Sequence, residues 1–396
     1  MNQKPSRLIV MSVLCTALSY LAIGLPLGVL PGWVHHDLGY SAVVAGLAIS
    51  VQYVATIVSR GMVGPMADTS GPRRSILLGF GCCVASGTIL IGASWAIRMP
   101  GLALAMLLLS RIVLGFGESL VGTSAIAWGI GRTGPEHTAR IISWNGIATY
   151  AAIAAGAPIG VWLFHVGGMA MIGIALCATG AAGLAFVAPQ PASQTIVADR
   201  LRFAAVFARV LPYGLVLGLG AIGFGVIAAF IALYYSAQNW DGAWIALSAF
   251  GCAFVLARLL FVNSVARYGG LNVALVFLAI EAVGLFLIWV AKAPPAAIVG
   301  AATAGFGFAM LFPALGMIVV DLVPPQNRGA AIGAYSMFTD VALCVTGPVA
   351  GILAANGGYA APFLFGGVAS LFGMGLVTLM MRRRASFRTM GALRVR

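Results

Sequence analysis

Three of the nine acids in this 396-residue chain, Glu118, Glu281 and Asp340, lie inside long apolar stretches, and Arg60, Arg111 and Arg258 lie within or near the ends of others. An ion in such surroundings is expensive unless it faces a wet cavity or a partner, so each is a candidate for chemistry rather than solubility. Glu118 follows Arg111 by seven residues, which is two helical turns and ~10 Å along one helix face. At that distance the two groups sense each other through water. Burial disfavours the carboxylate's charge and the cation favours it, so Glu118 is equipped either to load and release a proton or to remain a permanently paired structural group. Both readings stay open on the residues alone. Asp340, about ten residues into its stretch, reads as a second-rank titrating group or a structural ion with Arg258 as its expected partner. Glu281, in mid-stretch, reads as a protonated or snorkelling residue.

The surroundings are set by composition: 61% of residues are hydrophobic, 8% are charged, and the mean hydropathy is +1.03. Too few charges are present to cover a water-soluble particle of this size, so lipid must be the solvent for most of the chain. The net charge of +13 is scattered singly or in pairs except at the C-terminus, which excludes a nucleic-acid face. His35, His36, His137 and His165 all map near loops, and no G-x-S-x-G, H-E-x-x-H or Walker sequence occurs. Cys15, Cys82, Cys83, Cys177, Cys252 and Cys344 fall in apolar stretches without metal-type spacing and read as reduced packing residues. An enzyme, a metal or other cofactor, and ATP as direct energy source are therefore not expected.

About twelve windows are long and apolar enough to cross a bilayer, which needs ~20 residues each. The first, from Leu8, is retained as a helix rather than cleaved as a signal. Among the others are 43–66, 75–96, 101–130, 139–165, 167–188 and 330–355. The expected fold is an all-α integral membrane protein of twelve transmembrane helices in two parallel six-helix repeats. The repeat is read from an ungapped shift of 190 residues, which lays Gly115-Phe116-Gly117 on Gly305-Phe306-Gly307, Pro158 on Pro348 and Gly167-Gly168 on Gly357-Gly358. The expected divisions are an N-terminal half over 1–188, a cytoplasmic amphipathic linker over 189–210, a C-terminal half over 211–381 and a basic cytoplasmic tail over 382–396. In the linker, Arg200, Arg202 and Arg209 alternate with Leu201, Phe203, Val206 and Phe207. Placing the N-terminus inside puts nearly all lysines and arginines on the cytoplasmic side, which predicts a multi-pass inner-membrane protein with both termini cytoplasmic.

Between the second and third windows, Gly64-Pro65-Met66-Ala67-Asp68-Thr69-Ser70-Gly71-Pro72-Arg73-Arg74 with Leu77 resembles the loop motif G-x-L-A-D-R-x-G-R-K-x-x-x-L of the major facilitator superfamily. Thr69 and Pro72 depart from it, removing two bases. In the fourth window, Leu107-x3-Arg111-x2-Leu114-Gly115-Phe116-Gly117 is similar to the superfamily's L-x-x-x-R-x-x-Q-G-x-G, with Leu114 where Gln is frequent. The resemblance implies a conformational loop latch at Gly64, Asp68, Gly71 and Arg73, and a cavity lined by spans 1, 4, 7 and 10. It implies proton handling by Arg111, and with that cavity it ranks Glu118 ahead of Asp340 as coupling acid. Gly156 with Pro158, and Gly347 with Pro348, are expected as kinkable positions at a helix interface, proline breaking a backbone hydrogen bond and glycine allowing close packing, and the pair resembles the G-P-x-x-G-G motif of antiporter members. Candidate cavity residues are Tyr20, Gln52, Tyr53, Trp144, Asn145, Tyr150 and Tyr234, with Tyr235 and Gln238 beside them. The implied activity is proton-coupled secondary transport of small organic molecules by alternating access, as an efflux antiporter working as a monomer. Uptake symport of a sugar-like solute and a transport-inactive receptor or scaffold are the alternatives.

Overall fold

The computed structural model describes residues 5–134, 137–191, 203–324 and 328–393, without the side chains of 5, 61–65, 67–70, 138–139, 203–204, 328–329 and 384–393. Its helices are, in order, α1 (Pro5–Leu27), α2 (Leu30–Gly32), a single π-helical turn (Trp33–Asp37), α3 (Ala42–Ser70), α4 (Pro72–Trp95), α5 (Pro100–Thr133), α6 (Thr138–Val187) and α7 (Phe203–Ala237). There follow α8 (Ala243–Leu260), α9 (Ser264–Tyr268), α10 (Gly270–Trp289), α11 (Pro294–Phe308), α12 (Leu311–Asp321), α13 (Arg328–Gly357) and α14 (Ala361–Leu393). Their starts follow local chemistry. Pro72, Pro100 and Pro294 occupy first-turn positions where no amide hydrogen is needed, and the Ser41 hydroxyl accepts from Val44 N at 3.4 Å.

Among the described residues eleven segments are apolar and long enough to cross a membrane. One of them, Arg140–Val187, has 48 residues. As one straight helix it would reach ~72 Å, more than twice a ~30 Å hydrocarbon core. It instead folds back at Gly167 and Gly168, the only residues within α6 whose backbone leaves the helical region, and Gly168 has φ +65°, where a side chain would strain the chain. Counted as two crossings, this segment brings the total among the described residues to twelve, which puts the start of α1 and the end of α14 on one face. The exposed surface carries Val10, Leu14, Val58, Leu78, Val276 and Leu379, as a lipid-facing wall requires.

Each half packs in the same manner. Gly115 of α5 lies against the Gln52 backbone of α3, and Gly117 against Gly79 of α4; in the second half Gly305 of α11 lies against Phe250 of α8, and Gly307 against Phe277 and Glu281 of α10. The repeated Gly-Phe-Gly thus marks a repeated crossing in which backbones touch. The halves meet along two seams, α3 on α13 and α6 on α8. In the first, a methyl on Gly46 would collide with the Gly347 carbonyl, and the Ser50 hydroxyl donates to Leu343 O at 3.0 Å. In the second, Gly251 abuts Ala154, and the Ser248 hydroxyl donates to Ala154 O at 3.2 Å. At the face away from the chain ends, His36 Nε2 lies 3.1 Å from Ser236 Oγ and His35 Nε2 lies 3.1 Å from the Tyr359 hydroxyl, joining the π-helical turn to the second half.

Pro158 and Pro348 both sit within unbroken helix, and the glycines beside them are points of contact: Gly156 touches Gly24 and Leu25 of α1, and Gly347 touches Gly46 and Ser50 of α3. Of the expected linker, 192–202 lies outside the described residues. From Phe203 the chain is already the start of α7, with Val206 and Val210 buried.

Candidate functional site

α5 carries Arg111, Glu118 and Ser119 on the face it buries within the first half. Glu118 is 5% exposed, and its Oε2 accepts from Gln52 Nε2 at 2.7 Å and from the Thr56 hydroxyl at 3.4 Å. Both donors belong to α3, one helical turn apart, so a single face of α3 is shaped around the carboxylate. The single Thr56 hydroxyl hydrogen is shared among Glu118 Oε2, Gly115 O at 3.2 Å and Gln52 O at 3.1 Å, and the missing Gly115 side chain is what lets α3 come that close.

Arg111 is 2% exposed, and none of its three guanidinium nitrogens has a hydrogen-bond partner among the described residues. It makes no ion pair with Glu118; Tyr53 and Glu118 are the groups within its electrostatic reach. The two turns of separation inferred from sequence hold, and the relation is through space rather than contact.

Asp340 does not pair with Arg258. Its Oδ2 accepts from Arg60 Nε at 2.5 Å, the one ion pair among the described residues, and it joins α13 of the second half to α3 of the first. The reason is packing: α13 lies on α3 and α7, whereas α8, which carries Arg258, lies on α6 and α11. Arg258 instead donates from Nε to Ala309 O at 3.0 Å and stands 4.9 Å above the Phe254 ring. Arg60 is the residue of this ion pair that the sequence reading left without a role. A base ten residues inside the end of α3, facing a helix that contains one acid, was the available signal.

Tyr20 is half-buried and within electrostatic reach of Glu118, Arg60 and Asp340, and Tyr53 within reach of Glu118, Arg111 and Asp340. Tyr150 of α6 stacks on Phe254 of α8 across the other seam, centroids 3.8 Å apart, with Phe224 and Phe308 edge-on to it. These residues and Gln52 gather with Glu118 around the junction of the halves. Asn145 stands apart as a tie between helices, linked to Thr16 and, at 3.4 Å, to Ser12 of α1. Trp144 is exposed. Tyr234 lies inside the second half, its one hydroxyl hydrogen shared between Ala291 O at 3.0 Å and Ile288 O at 3.3 Å, and Tyr235 donates to Pro294 O at 3.2 Å. Gln238 closes the end of α7, donating its backbone N–H to Tyr234 O at 3.1 Å.

Glu281 is fully buried in α10 beside Gly220 and Gly223 of α7, with the Ser370 hydroxyl as its polar neighbour, away from the junction. Of the expected latch, Gly64 and Asp68 fall within α3, and the Asp68 side chain lies outside the described residues. Gly71 forms the turn between α3 and α4 at φ +83°, and Arg73 donates to the Ala188 carbonyl at the end of α6, tying two helices of one half.

The family model described as Major Facilitator Superfamily matches residues 12–262 and 214–389. An uncharacterized MFS-type transporter of Burkholderia mallei (strain SAVP1) is 51% identical over 387 residues, covering 97% of this chain and 94% of that protein. Among solved structures, a D-xylose–proton symporter superposes with TM-score 0.76 at 16% identity, covering 92% of this chain and 97% of the other. The nucleoside transporter NupG superposes with TM-score 0.72 at 16% identity, covering 94% and 99%.

Proposed function

The chain belongs to the major facilitator superfamily, and on that premise we propose that it is a proton-coupled secondary transporter that exports small organic molecules by antiport, as a monomer in the inner membrane with both termini cytoplasmic. The observation that carries the coupling is the buried Glu118, held by Gln52 and Thr56 and within electrostatic reach of the Arg60–Asp340 pair that bridges the halves.

Two carboxylates thereby compete for one guanidinium. With Glu118 charged, part of the attraction of Arg60 is drawn toward it and away from Asp340. With Glu118 protonated, that competition ends and Arg60 binds Asp340 undivided. Protonation inside one half then alters the grip between the halves, which alternating access requires. Gln52 and Thr56 keep the acid in place in either state, since a carboxylic acid retains an acceptor oxygen for them. The Gly-Pro positions of α6 and α13, at contacts between helices, favour export. The likeness in fold to the D-xylose–proton symporter supports uptake symport as the second reading.

The test uses purified full-length protein in liposomes loaded with a pH-sensitive dye, to which a panel of sugars and lipophilic drugs is offered. Substrate-dependent proton movement opposite to substrate flux is expected. Movement in the same direction would establish symport, and substrate flux indifferent to an imposed proton gradient would remove the coupling altogether.

A further inference from the structure

Arg258 is a buried cation with no anion paired to it among the described residues. It is 7% exposed, its Nε is spent on Ala309 O, and its other electrostatic neighbours are two tyrosines, Tyr150 and Tyr335. Arginine does not shed its proton in proteins, so the charge persists, and an uncompensated charge in hydrocarbon is kept only where something else balances it. Around the junction three guanidiniums, Arg60, Arg111 and Arg258, face two carboxylates, Glu118 and Asp340, which leaves one positive charge over.

The position of that charge is also informative. The terminal nitrogens of Arg258 lie against Gly146 of α6, where a side chain would displace them, so the guanidinium head sits on the seam between the halves rather than inside one of them. The hydroxyl of Tyr335 is occupied, donating to Leu311 O at 3.3 Å, whereas among the described residues Tyr150 makes ring contacts only. A planar fork with Nη1 and Nη2 free of hydrogen bonds among the described residues, and the Tyr150 hydroxyl within its electrostatic reach, match a carboxylate. The surrounding wall is aromatic: Phe254 stacks on Tyr150, Phe224 and Phe308 stand edge-on to it, and Phe250 packs on Phe224 and Phe308, none of them offering a hydrogen bond.

We infer that Arg258 and Tyr150 form the anion-recognition point of the substrate path, and that the substrate is a monovalent organic anion, a carboxylate on an apolar or aromatic body. This deepens the transport reading and rests on it.

Equilibrium binding to the full-length protein in nanodiscs, without any gradient, tests it independently of coupling. Benzoate, 1-naphthoate and indole-3-acetate are each titrated against their neutral amides. At least one carboxylate should bind saturably and about tenfold more tightly than its amide. Arg258→Gln should abolish that preference while changing amide binding less than about twofold, Arg258→Lys should retain part of it, and Gly146→Ala should weaken carboxylate binding by crowding the guanidinium. Thermal denaturation of each variant identifies misfolding, and Gly146→Ala, which leaves every charge in place, supplies the reading if Arg258→Gln fails to fold. Absence of carboxylate binding, equal binding of acid and amide, or an undiminished preference in Arg258→Gln would overturn the assignment. Failure of proton movement in liposomes, with carboxylate binding intact, would instead count against the coupling alone.

Discussion

At the scale of single residues, the pair of acids at the junction separates coupling from cohesion. Glu118→Gln keeps size and hydrogen bonding to Gln52 and Thr56 but does not titrate, so it should abolish gradient-driven accumulation while exchange of substrate across the membrane continues. Asp340→Asn should act on stability as well, because it strands Arg60. A loss of about 3 kcal/mol is expected, and the double variant Arg60→Gln/Asp340→Asn should recover much of it in a thermal-denaturation cycle. Uncoupling by Asp340→Asn but not by Glu118→Gln would move the proton site to the second half. Glu118, Arg111 and Asp340 were legible in the sequence because an ion in an apolar run stands out at any distance from its partner. The pairing was not legible, since Arg60 and Asp340 are 280 residues apart and which helix meets α13 is decided by how the halves dock.

At the scale of helices, the seams are built from absent side chains. Gly46 and Gly347 let α3 and α13 touch backbone to backbone, so Gly347→Val forces them apart at the outer end of the same seam that holds Arg60 and Asp340. A destabilisation of about 1–3 kcal/mol is expected from overpacking, together with loss of transport, measured by denaturation and by flux in liposomes. Gly333, whose added methyl would meet nothing, is the control on the same helix, and Gly333→Ala should be silent in both measurements. Helix positions were readable from apolar run lengths and from glycine and proline punctuation. Close packing at Gly156 and Gly347 was readable from glycine beside proline, but which helix each would meet was not, because that depends on how distant segments dock.

At the scale of the whole molecule, twelve crossings put the start of α1 and the end of α14 on one face, and the proposed topology, which rests on the distribution of lysine and arginine, makes that face cytoplasmic. Reporter fusions at Ser193 and at the C-terminus should both give a cytoplasmic signal, and a periplasmic one at Ser193 would break the two-half arrangement. The number of crossings was legible from the sequence, whereas the way the fifth turns into the sixth was not, for no polar loop marks it. That turn also bears on how the protein is made. Val166-Gly167-Gly168-Met169 carries no charge and adds no loop, so a ribosome-bound chain stalled at Gly168 would present only one leg of a hairpin whose second leg is still unsynthesised. The two legs should leave the insertion machinery together as a preformed hairpin, with Arg140 at the base of the first leg as the anchoring charge.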